Sequence, residues 1–151
     1  MTADYLGDAI KAAVVNIETG GGPFGAVLVT PSGGVYASGN RVTANNDPTA
    51  HAEVMAIRAA CKDLDTFDLS GCVLYSSCEP CPMCATAARW ARVDRVVYAA
   101  DRHEAAAAGF DDRAFYDVLA EPDGLIVTEE GRPDRGEPFR AWAATNERTL
   151  Y

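Results

Sequence analysis

The stretch CVLYSSCEPCPMCATAARWARVDRVVYAA, residues 72–100, sets the architecture of the chain. Residues 72–77 form a short apolar run of strand type, and RVVYAA, 95–100, forms another. Between them a helix is predicted from Pro82 to about Ala91. Proline suits a first helical position, where its missing N–H costs nothing. Upstream, FGAVLVT (24–30) and GVYASGN (34–40) read as two strands joined by the PSGG turn, a hairpin. A helix over 3–18 precedes them, with Tyr5, Leu6, Ile10, Val14 and Ile17 at helical spacing. RVTANNDP reads as a loop, and TAHAEVMAIRAACKDL (49–64) as a helix with Val54, Ile57 and Ala60 or Cys61 on one face. Downstream, a helical turn or two is expected at EAAAAG (104–109), a helix over 113–119, a fifth strand at GLIVTE (124–129) and a helical tail over 137–151. The expectation is an α/β fold: a three-layer α/β/α domain around a mixed sheet of about five strands, one domain over residues 1–151.

The chain has 151 residues, 48% hydrophobic and 23% charged, an ordinary mix for a globular domain with a sizeable core. Its 22 acidic and 13 basic residues give a net charge of −9. That balance argues against a nucleic-acid partner, because binding a phosphate backbone requires basic residues to replace its counterions. It also gives no attraction to an anionic membrane. The opening residues lack a basic region followed by an apolar core, and no apolar run approaches the ~20 residues of a membrane span. Five cysteines, an odd number, together with no export signal, point to a cytoplasmic protein with free thiols rather than a disulfide framework.

The cysteines at 78, 81 and 84 are spaced three apart. With Pro82 opening the helix, Cys81 falls at its cap and Cys84 one turn on, on the same side. Both sulfurs then lie at the positive end of the helix dipole, which favours the thiolate a metal needs. Cys78 is still leaving the strand, where it could pair with Cys81 in a knuckle but lacks the helix-end position, while Cys61 and Cys72 read as small core residues. A structural zinc centre takes four protein ligands; a catalytic one takes three and leaves a place for water. His51, at the start of the preceding helix, is the candidate third ligand, and Glu53 follows two residues later. H-A-E and then P-C-P-M-C about thirty residues on is the order H-x-E…P-C-x-x-C used by zinc deaminases. In that chemistry His51, Cys81 and Cys84 hold Zn²⁺. The ion lowers the pKa of a bound water from 15.7 toward ~7, and Glu53 shuttles its proton without binding the metal. Residues two apart do not share a helix face, so one of His51 and Glu53 must sit in the first turn or just before it.

PFGAVLV, GNRV, NDPTAHAEVMAIRAAC, LYSSCEPCPMC, YAA and AGFDD together resemble the cytidine deaminase superfamily, and within it the small zinc-dependent guanine deaminases. These motifs run from about residue 23 to 112, with an echo in PFRAW near the end. The resemblance implies hydrolysis of guanine to xanthine and ammonia. It implies that Phe24 packs on the purine ring, Asn40 hydrogen-bonds the base, and Asp112, rather than Asp111, accepts from guanine N–H groups. Read without it, Asp111 and Asp112 suit a solvated loop or the N-cap of the next helix. Trp90 reads as a helix anchor in the core or an interface. The resemblance also implies that a C-terminal segment ending in Tyr151 covers an active site, its own or that of the partner in a swapped homodimer. Three alternatives stay open: a tRNA adenosine deaminase, a deaminase of guanosine, cytosine or a related amino-heterocycle, and a structural zinc module with no activity.

Overall fold

The computed structural model describes residues 2–117, 132–144, 146 and 149. Helix α1, Tyr5–Glu18, is capped by Asp4, whose Oδ1 accepts the Gly7 N–H at 2.9 Å. Strands β1, Gly25–Val29, and β2, Val35–Gly39, form the expected antiparallel hairpin. The segment read as a loop contains a single helical turn, α2, Val42–Asn45, ended by Asn46 in the left-handed conformation. Then come α3, Ala52–Leu64; β3, Val73–Cys78; α4, Pro82–Trp90; β4, Arg95–Ala100; and α5, Arg102–Ala107. The helix expected at 113–119 is a 3₁₀ turn, Arg113–Tyr116, as far as the described residues go. Helix α6, Glu137–Ala144, is the last described element. The strand expected at 124–129 and the terminal Tyr151 lie outside the described residues.

The sheet runs β2-β1-β3-β4. β1 is antiparallel to both β2 and β3, and β3 is parallel to β4, so the sheet is mixed, with four described strands. Helices cover both faces. Ala26 and Leu28 of β1 pair with Ser76 and Leu74 of β3 and meet Ala52, Ala56 and Ala60 of α3 in the main core. The alternate residues face α1: a Cβ on Gly25 would stand 2.3 Å from the Ala9 carbonyl and 2.5 Å from the Ala13 nitrogen.

That close approach corrects the reading of α1. A helix lying so near the sheet accepts only small side chains beneath it, so Ala9, Ala13 and Asn16 are buried while Ile10, Val14 and Ile17 are exposed. α3 is shifted in the same way. Its buried line is Ala52, Glu53, Ala56 and Ala60, with Val54 and Ile57 only partly covered. Cys72 belongs to the core and Cys61 packs against it, as expected of small apolar residues. Trp90 is 64% exposed at the end of α4, which excludes a place in the core of this chain.

Candidate active site

Two helix N-termini meet at the ends of β1 and β3. His51 is the N-cap of α3 in extended conformation (φ −66°, ψ 156°) and stands outside the helix, while Glu53 lies in its first turn. This step from cap to helix brings both side chains to one place despite their spacing. Cys81 is likewise the extended N-cap of α4, with Pro82 at the first helical position, and its Sγ accepts the Cys84 N–H at 3.5 Å. His51 Nδ1 lies 3.6 Å from Cys81 Sγ and 3.4 Å from Cys84 Sγ. Zinc bonds of about 2.3 Å to sulfur and 2.0–2.1 Å to nitrogen, at tetrahedral angles, require an N···S separation of about 3.6 Å. The donor set and its spacing therefore fit a tetrahedral cation held by three protein ligands. Among the described residues no other histidine, cysteine or carboxylate joins this trio.

Hydrogen bonding around Cys81, first from Cys84 and also from His51, holds its thiol well below the usual range, to about 4. The hydrogen bond to Cys81 and burial push Cys84 up. Cys78 stands apart from the trio. Its Sγ faces the Asp101 carbonyl at 3.9 Å, and burial raises its thiol to about 11.

Glu53 is 6% exposed, and Ser76 Oγ donates to its Oε1 at 3.0 Å. The β1–β3 register explains this bond, since it turns Ser76 to the α3 face of the sheet. Burial raises the Glu53 carboxyl above its ordinary range, opposed by its own backbone N–H and by Ser76. A carboxylate so placed is a stronger base than an exposed one and takes up a proton more readily.

These groups open on a cavity of about 440 Å³. Phe24, Asn40, His51, Glu53, Cys81 and Asp112 all line it, and Trp90 does not. The Asn40 N–H donates to the Phe24 carbonyl at 3.0 Å, and its Oδ1 accepts the Val42 N–H at 3.2 Å. The amide nitrogen of Asn40 is left for a ligand.

The two aspartates differ in their partners. Asp111 turns back on Arg113, accepting from Nε at 2.8 Å and Nη2 at 2.7 Å, and it lies at about 2 because of that partner. Asp112 precedes the 3₁₀ turn but makes no side-chain cap bond. Its Oδ1 is buried without a hydrogen-bond partner, the one such side-chain atom among the described residues. A buried, unpartnered acceptor on a cavity wall calls for a donor from a ligand.

Three contributors escaped the sequence. Asn16 of α1 donates through Nδ2 to the carbonyls of Asn40 (2.7 Å) and Gly22 (2.8 Å), fixing the loop that carries Asn40. Its spacing from Ala9 and Ala13 was the available sign that it lies on the buried face. Phe110 meets Phe24 edge to face at 5.0 Å between ring centroids. Arg102, on the wall, spans Glu79 and Tyr116. The local sequence carries no sign of that pairing.

A model of the cytidine and deoxycytidylate deaminase zinc-binding region matches residues 2–100. The chain is 48% identical over 143 residues to a guanine deaminase of Bacillus subtilis (strain 168), covering 91% of each. A crystal structure of a guanine deaminase from Bacillus subtilis superposes with a TM-score of 0.95 at 42% identity, over 100% of this chain and 99% of that one. A tRNA-specific adenosine deaminase of Bacillus subtilis (strain 168) is 43% identical over 102 residues, 66% of this chain and 63% of that protein.

Proposed function

The chain belongs to the cytidine and deoxycytidylate deaminase family, and from that premise we propose that it converts guanine and water to xanthine and ammonia. His51, Cys81 and Cys84 hold the zinc. When bound, the ion supplies a Lewis acid that lowers the pKa of a water toward ~7. Glu53 takes the proton of the attacking water and delivers it to a purine ring nitrogen. It then carries a proton to the departing amine as the C2–O bond replaces C2–N. Asp112 Oδ1 accepts from guanine N–H groups, the Asn40 amide donates to the base, and Phe24 packs on the ring, with Tyr151 covering the site. Asp112 is the specificity element, because a buried acceptor penalises bases that cannot donate to it.

The observation that carries this reading is the meeting of the histidine–cysteine trio, buried Glu53 and unpartnered Asp112 on one cavity. Guanine is favoured over a tRNA adenosine by the likeness to a guanine deaminase over nine-tenths of both chains and by the −9 charge. The protein acts in the cytoplasm as a homodimer, with the C-terminal segment capping its own site or its partner's. No helix among the described residues is long and apolar enough to cross a membrane. Exposed Ile10, Val14, Ile17 and Phe139, the last at 77%, provide apolar surface for the dimer. The test is ammonia release from guanine, guanosine, cytosine, cytidine and adenine at low and high salt. Guanine is expected to be deaminated with little dependence on salt. Ammonia from cytosine alone would overturn the substrate, and steep loss with salt on a tRNA substrate would favour the polyanion reading.

A further inference from the structure

The wall that carries Asp112 has little to hold it by itself. It is one 3₁₀ turn, Arg113–Tyr116, with Phe115 56% exposed, and a single turn of this kind is not self-supporting. Among the described residues, Phe110 meets Phe24 on one side of Asp112, and on the other the attachment runs through Tyr116 and Arg102. The Tyr116 hydroxyl donates to the Pro80 carbonyl at 2.8 Å. The guanidinium carbon of Arg102 lies 3.4 Å from the centre of the Tyr116 ring, a cation stacked on an aromatic face. Arg102 Nε donates to both oxygens of Glu79, at 2.8 and 3.3 Å, and the Glu79 N–H is fixed to the Ala100 carbonyl at 2.7 Å.

Glu79 and Pro80 form the short turn between β3 and Cys81. The same turn therefore places a cysteine of the trio and anchors the wall opposite. Arg102 is the middle member of the stack and touches both sides. Arginine suits this place because its planar group can stack and hydrogen-bond together, which lysine cannot.

We infer that Arg102 is a positioning residue: through Glu79 and Tyr116 it fixes Asp112 at a set distance from the histidine–cysteine trio, and so controls substrate recognition. The inference rests on the deaminase reading of the site. It follows that weakening the stack loosens Asp112 while leaving metal binding and proton transfer in place. Such a loss raises KM more than it lowers kcat.

The experiment is a double-mutant cycle of Arg102→Met and Asp112→Asn, run on whichever base of the ammonia panel the wild type deaminates. Methionine keeps an apolar stem but removes the guanidinium, and with it both the ion pair to Glu79 and the stack on Tyr116. We expect R102M to lower kcat/KM about tenfold or more, chiefly through KM, with zinc content unchanged. In the D112N background the same change should cost less than about twofold, since the residue it positions is already disabled. R102K should not rescue. Tyr116→Phe, which deletes only the hydroxyl bond to Pro80, should show the same KM-weighted loss and the same non-additivity, and it serves if R102M fails to fold. Equal costs in both backgrounds, a loss confined to kcat, loss of zinc, or full activity of both variants would overturn the inference. The wild type's choice of base tests the substrate reading separately. Ammonia from none of them would sink that reading and the inference with it.

Discussion

Replacing Glu53 by glutamine removes a charge and almost no volume. Gln Oε1 can still accept from Ser76, 3.0 Å away in the native site, so the side chain keeps its anchor. His51, Cys81 and Cys84 are untouched, so the metal should stay. What disappears is a group able to carry a proton. General acid–base catalysis contributes about 10²–10⁴-fold, roughly 3–5 kcal/mol in the barrier. Glu53 serves more than one proton transfer in the proposed cycle, so kcat is expected to fall about 10³-fold or more. Stability should move the other way. Burial raises the folded-state pKa of Glu53. Its stabilising contribution is therefore full below the unfolded pKa and lost as pH rises through the folded value. Above that value the buried carboxylate opposes folding and the neutral amide does not. Tm of E53Q should equal or exceed that of the wild type near neutral pH. The assays are ammonia release, zinc by elemental analysis and thermal unfolding on one preparation. An E53Q protein with full zinc and kcat within about tenfold of wild type would refute the proton-shuttle role and favour a structural zinc module. Loss of zinc would show that Glu53 supports the metal instead.

His51→Ala, Cys81→Ser and Cys84→Ser should each lose zinc and activity, whereas Cys78→Ser should retain zinc, because Cys78 faces the Asp101 carbonyl rather than the trio. Elemental analysis of the four proteins decides this, and zinc loss from C78S would overturn the assignment. Asn16→Asp replaces a donor to two carbonyls by a third acceptor among them. An unsatisfied buried contact of this kind should cost about 2 kcal/mol or more, roughly 5 °C in Tm, and should raise KM by loosening Asn40. An unchanged melting curve would show that Asn16 does not brace the loop.

The metal trio and Glu53 were legible because each half of their pattern is local, a proline after Cys81 with three-residue spacing and a histidine two before a glutamate at a helix start, and the order H-x-E…P-C-x-x-C joins the halves. The hairpin and the strand–helix–strand run were legible for the same reason. The buried face of α1 was misread because large apolar residues usually point inward, while here the closeness of helix to sheet admits only Ala9, Ala13 and Asn16. The Ser76–Glu53 bond depends on the register of β1 against β3, and the Arg102 stack joins residues 79, 102 and 116. No periodicity along the chain reports either contact. Asp112 comes from resemblance alone; by local rules it suits a solvated loop or a helix cap, and the structure gives it no capping bond.

The family match ends at residue 100, yet the wall opposite the metal trio is built from Arg102, Phe110, Asp112 and Phe115. The metal trio and Glu53, with Phe24 and Asn40, thus precede residue 101, while the proposed specificity element Asp112 follows it. A chimera that keeps residues 2–100 and exchanges the following stretch would alter which amine is presented while inheriting the machinery that removes it. Glu79 and Pro80 are the coupling any such graft has to respect, since they are where the later stretch fastens onto the earlier one.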